Sequence, residues 1–154
     1  MTSDRAFAFD LILPFVKDAT PGKILRMVAL ETSKVIGIGE RILGDRMIEQ
    51  EKKTASGIGG GVALMHLKVG SLTQPFMVLA RLTQKTDFGG SDSIPSDLFC
   101  LMLTPERDGP QALQRLARWT RLLRDDSFCH LLREAADADV IRALMNSPKA
   151  RMAA

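Results

Sequence analysis

The chain has 154 residues, 45% of them apolar and 25% charged, with a formal net charge of +3. That is enough for one buried core, and the balance is that of an ordinary globular domain, so general disorder is excluded. The slight basic excess, no tyrosine and one tryptophan argue against nucleic acid as a partner, and two cysteines with two histidines exclude a disulfide framework and a histidine-rich metal centre.

The N-terminal stretch MTSDRAFAFDLILPFVKD carries a short apolar patch between Asp4 and Asp10 and lacks the layout of a signal peptide. Lys17, Arg26 and Lys34 interrupt the early apolar runs, so no membrane insertion is expected. Thr20-Pro21 predicts a helix start, with a hydroxyl cap and a proline in the first turn. Ile24, Leu25, Val28, Thr32, Val35 and Ile36 then recur at helical spacing up to Gly37. A second helix is predicted from about Glu40 to Glu51, burying Ile42, Leu43, Met47 and Ile48.

The glycine-rich turn TASGIGGG follows, and then an apolar run from Val62 to Met65 that predicts a strand ending at His66. Gln74–Leu82 and Asp97–Leu103 are nearly continuously apolar, as strands covered on both faces are. The loop DFGGSDSIPS joins them. A helix is expected over about Gln111–Arg124, with Leu113, Leu116, Ala117 and Leu123 on one side and Trp119 at its margin. Two shorter helices are expected near Phe128–Ala135 and Val140–Asn146, and the tail 147–154 is expected to fray. These elements fit a single α/β domain over 1–154, with its core at about 10–146: a layered, mixed β-sheet with helices on both faces. Cys100 and Cys129 fall in apolar segments and read as buried free thiols of a reducing, cytoplasmic setting.

Ser56–Lys68, SGIGGGVALMHLK, carries the chemistry. Gly57, Gly59, Gly60 and Gly61 free the backbone to aim several N–H groups into one concavity suited to phosphate oxygens. The strand then delivers His66, with Lys68 two residues on and on the same face. A neutral imidazole, a cation and free amides are what phosphoryl transfer to histidine needs. The run is no nucleotide fingerprint, because it leads into a strand and no GK[ST] follows. His130 reads as a helix-surface or packing residue, and the arginines of the 111–124 helix as a solvated face.

This segment resembles the signature of the IIA phosphocarriers of the bacterial phosphotransferase system, fructose–mannitol and nitrogen-regulatory class. Ser56, Gly57, Ile58, Gly59, Gly61, Val62, Ala63, Leu64, His66 and Lys68 stand in register with it. The likeness extends to Gln50-Glu51, Phe88 through Leu98, Leu103-Thr104-Pro105-Glu106 and Leu122 to Asp125, covering roughly Lys23 to Met145. The resemblance implies that His66 accepts a phosphoryl group from an upstream histidine-phosphorylated carrier. It also implies a regulated protein partner, and no cofactor or metal. Ser56, the four glycines, Lys68 and Gln50 would bind the phosphoryl group.

Three departures stand against it. Gln50 replaces the family's arginine, Ala112 aligns with its second histidine, and Met65 and Leu67 replace the proline and glycine around the phosphorylated histidine. They leave an alternative open: a non-catalytic interaction module on the same fold. A small-molecule phosphate-binding enzyme ranks last, for want of a general base besides His66. Donor, regulated partner, branch of the system and phosphorylated ring nitrogen stay open at this point.

Overall fold

The structure, a computed structural model, describes residues 7–153; Asp4 and the rest of residues 1–6 lie outside them. Five strands form one mixed sheet in the order β1-β4-β5-β3-β2. They are β1 (Leu11–Val16), β2 (Gly57–Gly59), β3 (Val62–Val69), β4 (Phe76–Thr86) and β5 (Ser96–Pro105). β1 runs parallel to β4 and β3 parallel to β5, while β4–β5 and β2–β3 are antiparallel. The three apolar segments expected as strands are the three interior ones, as their burial on both faces requires.

Helices cover both faces. Helix α1 (Pro21–Ile36) begins where Thr20 Oγ1 accepts from the Lys23 N–H and ends at Gly37 in the left-handed region, φ +77°. With α2 (Glu40–Lys53) it packs Ile24, Leu25, Val28, Leu43 and Met47 against Ala63, Met65 and Leu67 of β3 and their neighbours. The opposite face carries α3 (Pro110–Leu123), α4 (Asp126–Glu134), α5 (Ala138–Leu144) and α6 (Pro148–Ala153). Phe7, Phe9 and Trp119 stack at its centre, with the Trp119 ring 4.4 Å from Phe7 and 4.9 Å from Phe9 between centroids.

The structure differs from the sequence expectations at several points. β1 is a strand despite Pro14, because it lies at the sheet edge, where proline's missing N–H costs no ladder bond. The tail forms α6 with Ala150 in the core, held by the Ser147 cap and by Lys149 at 3.0 Å from Asp125. Trp119 is fully enclosed rather than marginal, while Ile42, Val35 and Leu113 are exposed. Arg115 reaches Asp108 at 3.6 Å and Arg118 lies over the Phe7 ring, so these two are half-buried and only Arg121 and Arg124 stand on the open face.

Cys100 and Cys129 are buried free thiols in one core, and burial pushes the Cys129 thiol up to about 11. Arg81 is 9% exposed and makes no ion pair with a described residue; its guanidinium donates to the carbonyls of Leu132, Arg133 and Ala135 at the end of α4, and to Pro14. A cation at a helix C-terminus meets orphan carbonyls and the negative end of the dipole together.

Candidate functional site

β3 continues through His66 to Val69, paired residue by residue with β5 from Val62↔Leu98 to Val69↔Pro105. Met65 and Leu67 allow this. A proline and a glycine at those positions would withdraw an amide from the ladder and weaken the strand, whereas these two residues are buried on the α1–α2 face. Alternation then sends His66 to the opposite face with Val62 and Leu64, on the side of α3 and α4.

His66 is half-buried, and its Nε2 lies 2.7 Å from the hydroxyl of Thr104 on β5. Thr104 is 0% exposed. Burial, and secondarily the charge of Lys68, hold the His66 imidazole below its ordinary value, so the ring is neutral at pH 7 and keeps a nitrogen lone pair. Lys68 is exposed and opposite Thr104 in register. His66, Lys68 and Thr104 therefore form one group.

The far end of the glycine turn, at Gly61, does not join them. Gly61 and His66 are five residues apart along an extended strand, a separation of about 16 Å at a strand's rise per residue. Gly59, Gly60 and Gly61 do take positive φ (96°, 67° and 81°), as a concave turn of this kind requires. Several of its groups are already engaged within the protein. The Gly60 N–H donates to Asp92 at 2.9 Å, and Arg133 donates to the Gly60 and Gly61 carbonyls. Gly57 donates to the Phe88 carbonyl and is packed so close to Gly89 that a Cβ would meet its oxygen. β2 folds back along β3 and sets Gly57 opposite Ala63, three residues from His66, and β3 runs on to Val69 rather than ending at His66.

Ser56 is 5% exposed, and its hydroxyl is enclosed with no hydrogen-bond partner among the described residues. Its N–H donates to Glu51 at 3.2 Å and its carbonyl accepts from Leu64. Gln50 is half-buried on α2, whose core residues pack on the face opposite His66. Its side-chain amide makes no hydrogen bond with a described residue. Arg46, one helical turn earlier, donates to the Lys68 carbonyl. Ala112, near the start of α3, is 1% exposed. His130 is exposed on α4. Thr104 is the residue that the sequence reading missed as a site member. Its signal was a lone hydroxyl in DLFCLMLTP, where the family has the alanine of Ala-Pro-Glu.

No helix among the described residues is long and apolar enough to cross a membrane. Residues 27–147 match the family described as "Phosphoenolpyruvate-dependent sugar phosphotransferase system, EIIA 2". A nitrogen regulatory protein of Bradyrhizobium diazoefficiens is 35% identical over 144 residues, covering 94% of each chain. The fold is similar to that of the nitrogen regulatory protein IIA-Ntr from Neisseria meningitidis, with a TM-score of 0.84 at 18% identity over 94% of this chain and 99% of that one. It also resembles IIA mannitol from Escherichia coli, in a complex with phosphorylated enzyme IIB mannitol, with a TM-score of 0.67 at 17% identity over 88% of this chain and 93% of that one. By the matched span, the relative's identity and the shared sheet, this chain belongs to the EIIA 2 family of the phosphoenolpyruvate-dependent sugar phosphotransferase system.

Proposed function

We propose that this chain is a phosphoryl-accepting regulatory protein of the nitrogen-regulatory branch, with His66 as the acceptor. The observation that carries the reading is the half-buried, neutral imidazole of His66, held at 2.7 Å by Thr104 with the Lys68 ammonium near it. In the reaction, a ring lone pair of His66 forms a bond to phosphorus as the donor's P–N bond breaks, and the electron pair returns to the donor's ring nitrogen. Lys68 offsets part of the nearly two negative charges that arrive. The donor would be an upstream histidine-phosphorylated carrier, and the phosphorylation state would govern binding to a regulated protein. The 35% identical nitrogen regulatory protein favours this branch over sugar transport. The cytoplasm is the proposed location.

The second reading, an interaction module that has lost efficient transfer, draws on Gln50, which adds no charge, and on Ala112, which is buried and donates nothing from its side chain. Intact-mass measurement after incubation with a reconstituted donor chain separates the two. One added phosphoryl group on the wild type and none on His66→Ala is expected. An unmodified wild type beside a labelled control relative would leave the interaction module.

A further inference from the structure

Two cations meet on β3 just past His66. Arg46, exposed on α2, donates through Nη2 to the carbonyl of Lys68, two residues beyond His66. Two residues of a strand span about 7 Å. Neither cation forms an ion pair with a described residue. Two carboxylates close to Arg46 on α2 are turned elsewhere: Asp45 pairs with Arg26 at 2.7 Å, and Glu51 accepts from the Ser56 N–H at 3.2 Å. Like charges held together without a counter-charge raise the local positive potential, and such a place gains from an anion. The strand leaves room for one. β2 pairs with β3 at Val62 and Ala63, and Ser56 accepts from the Leu64 N–H; past that point β3 is the margin of the sheet. A guanidinium anchored on a carbonyl at that margin is covered by neither face. It therefore serves the side to which His66 projects, although α2 packs on the other.

We propose that Arg46 is the second cation of the phosphoryl site: with Nη2 kept on the Lys68 carbonyl, its remaining N–H groups bind oxygens of the group that His66 carries. The inference rests on the phosphoryl-acceptor reading above and adds a residue to it. A phosphoryl group brings nearly two negative charges, of which the Lys68 ammonium offsets one. The two cations divide the work. Lys68 is the one whose charge reaches the bare imidazole, and Arg46 stands beyond it, where the ring's burden arrives. The P–N bond formed at His66 and the P–N bond broken in the donor are those given above. The guanidinium keeps its protons throughout, because its basicity lies far above neutral pH. Its planar fork suits two oxygens of one phosphoryl group at once. Arg46 holds charge in the transition state and in the phosphorylated product, so rate and yield should both respond to it.

The experiment uses the whole chain, phosphorylated in parallel by a histidine-phosphorylated carrier and by phosphoramidate, from which ammonia leaves. Wild type, Arg46→Met, Arg46→Lys and the pair Arg46→Met with Gln50→Arg are followed by single-turnover mass measurement and ³¹P NMR. Arg46→Met should accept from both reagents about tenfold more slowly, a smaller loss than at an enclosed oxyanion donor because the site is open to water. Its phosphohistidine ³¹P resonance should move, while its urea midpoint and the His66 titration of the unphosphorylated protein stay at their wild-type values. Arg46→Lys should keep most of the rate, and a guanidinium returned one turn further along α2 by Gln50→Arg should recover part of it. Wild-type rates and an unmoved ³¹P signal in Arg46→Met would overturn the role of Arg46 and leave the acceptor reading standing. So would a slowing with the carrier alone, which would place Arg46 against the donor protein, or one that comes with a lowered urea midpoint. A wild type labelled by neither reagent would overturn both.

Discussion

The guanidinium of Arg133 joins Asp97 at 2.8 Å through Nε and the Gly60 carbonyl at 2.9 Å through Nη2, so helix α4 holds the glycine turn by its carbonyl while Asp92 holds it by the Gly60 N–H. Gly60 and Gly61 form a structural hinge-pin at the start of β3, with Gly61 five residues from His66 along the strand. Arg133→Met leaves a half-buried carboxylate and two turn carbonyls without their donor. It should cost about 1–3 kcal/mol, measured by urea unfolding, with the phosphohistidine yield per folded molecule unchanged. A lost yield at full stability would return the turn to the site.

Arg81 carries a second, separable stability role. Its guanidinium caps three carbonyls around the end of α4, and removing a charged donor from buried acceptors costs about 1.5–3 kcal/mol. Arg81→Met should lose that much in denaturant melts and should weaken hydrogen-exchange protection first in α4. Uniform protection with an unchanged midpoint would contradict the capping account.

The depressed His66 value makes stability depend on pH with a definite sign. The unfolded ring titrates near 6.5 and the folded ring lower, so the folded state disfavours the proton. The contribution is fully present above pH 6.5 and is lost as pH falls through the folded value. Urea midpoints of wild type should drop over that window, and those of His66→Gln should drop less. An NMR titration should place the His66 midpoint below 6.5, and Lys68→Gln should raise it only partly, because burial is the larger cause.

Gln50 and Ala112 predict opposite outcomes for two substitutions that restore family residues. The Gln50 amide makes no hydrogen bond with a described residue, so Gln50→Arg should leave stability within about 0.5 kcal/mol. If His66 is the acceptor, it should also speed phosphorylation, because a guanidinium adds charge that an amide lacks. At Ala112, which is 1% exposed, an imidazole overpacks the start of α3 and should cost about 1–3 kcal/mol. Quantifying phosphohistidine formation and unfolding in both proteins checks the pair. A stable Ala112→His variant would mean that α3 yields more readily than its packing implies.

The interior strands and the first helix were legible because burial on two faces and capping both leave local marks. Continuous apolar runs announced β3, β4 and β5, and Thr20, Pro21 and Gly37 framed α1. What escaped depended on neighbours distant in sequence. Pro14 speaks against a strand unless that strand is known to lie at an edge. The tail speaks for fraying unless Asp125 waits for Lys149. In the candidate site, His66 and Lys68 were readable from a two-residue spacing. Thr104 was not, because parallel pairing of β3 with β5 brings it beside His66 across 38 positions of chain. What the glycines touch was hidden for the same reason: their flexibility is local information, whereas Asp92 and Arg133, which engage Gly60, come from distant parts of the chain.

Pro14 has a consequence for the protein in crowded solution. An outer strand ordinarily offers a row of unmatched main-chain groups on which another molecule can grow. β1 interrupts that row at Pro14, which has no N–H to offer and whose carbonyl is occupied by Arg81. On the other side, β2 spans three residues, and the Lys68 carbonyl beyond it is occupied by Arg46. The sheet is thus blunted at both margins by different chemistry, a proline on one side and an arginine on the other, and neither margin presents an unbroken template for fibrous growth.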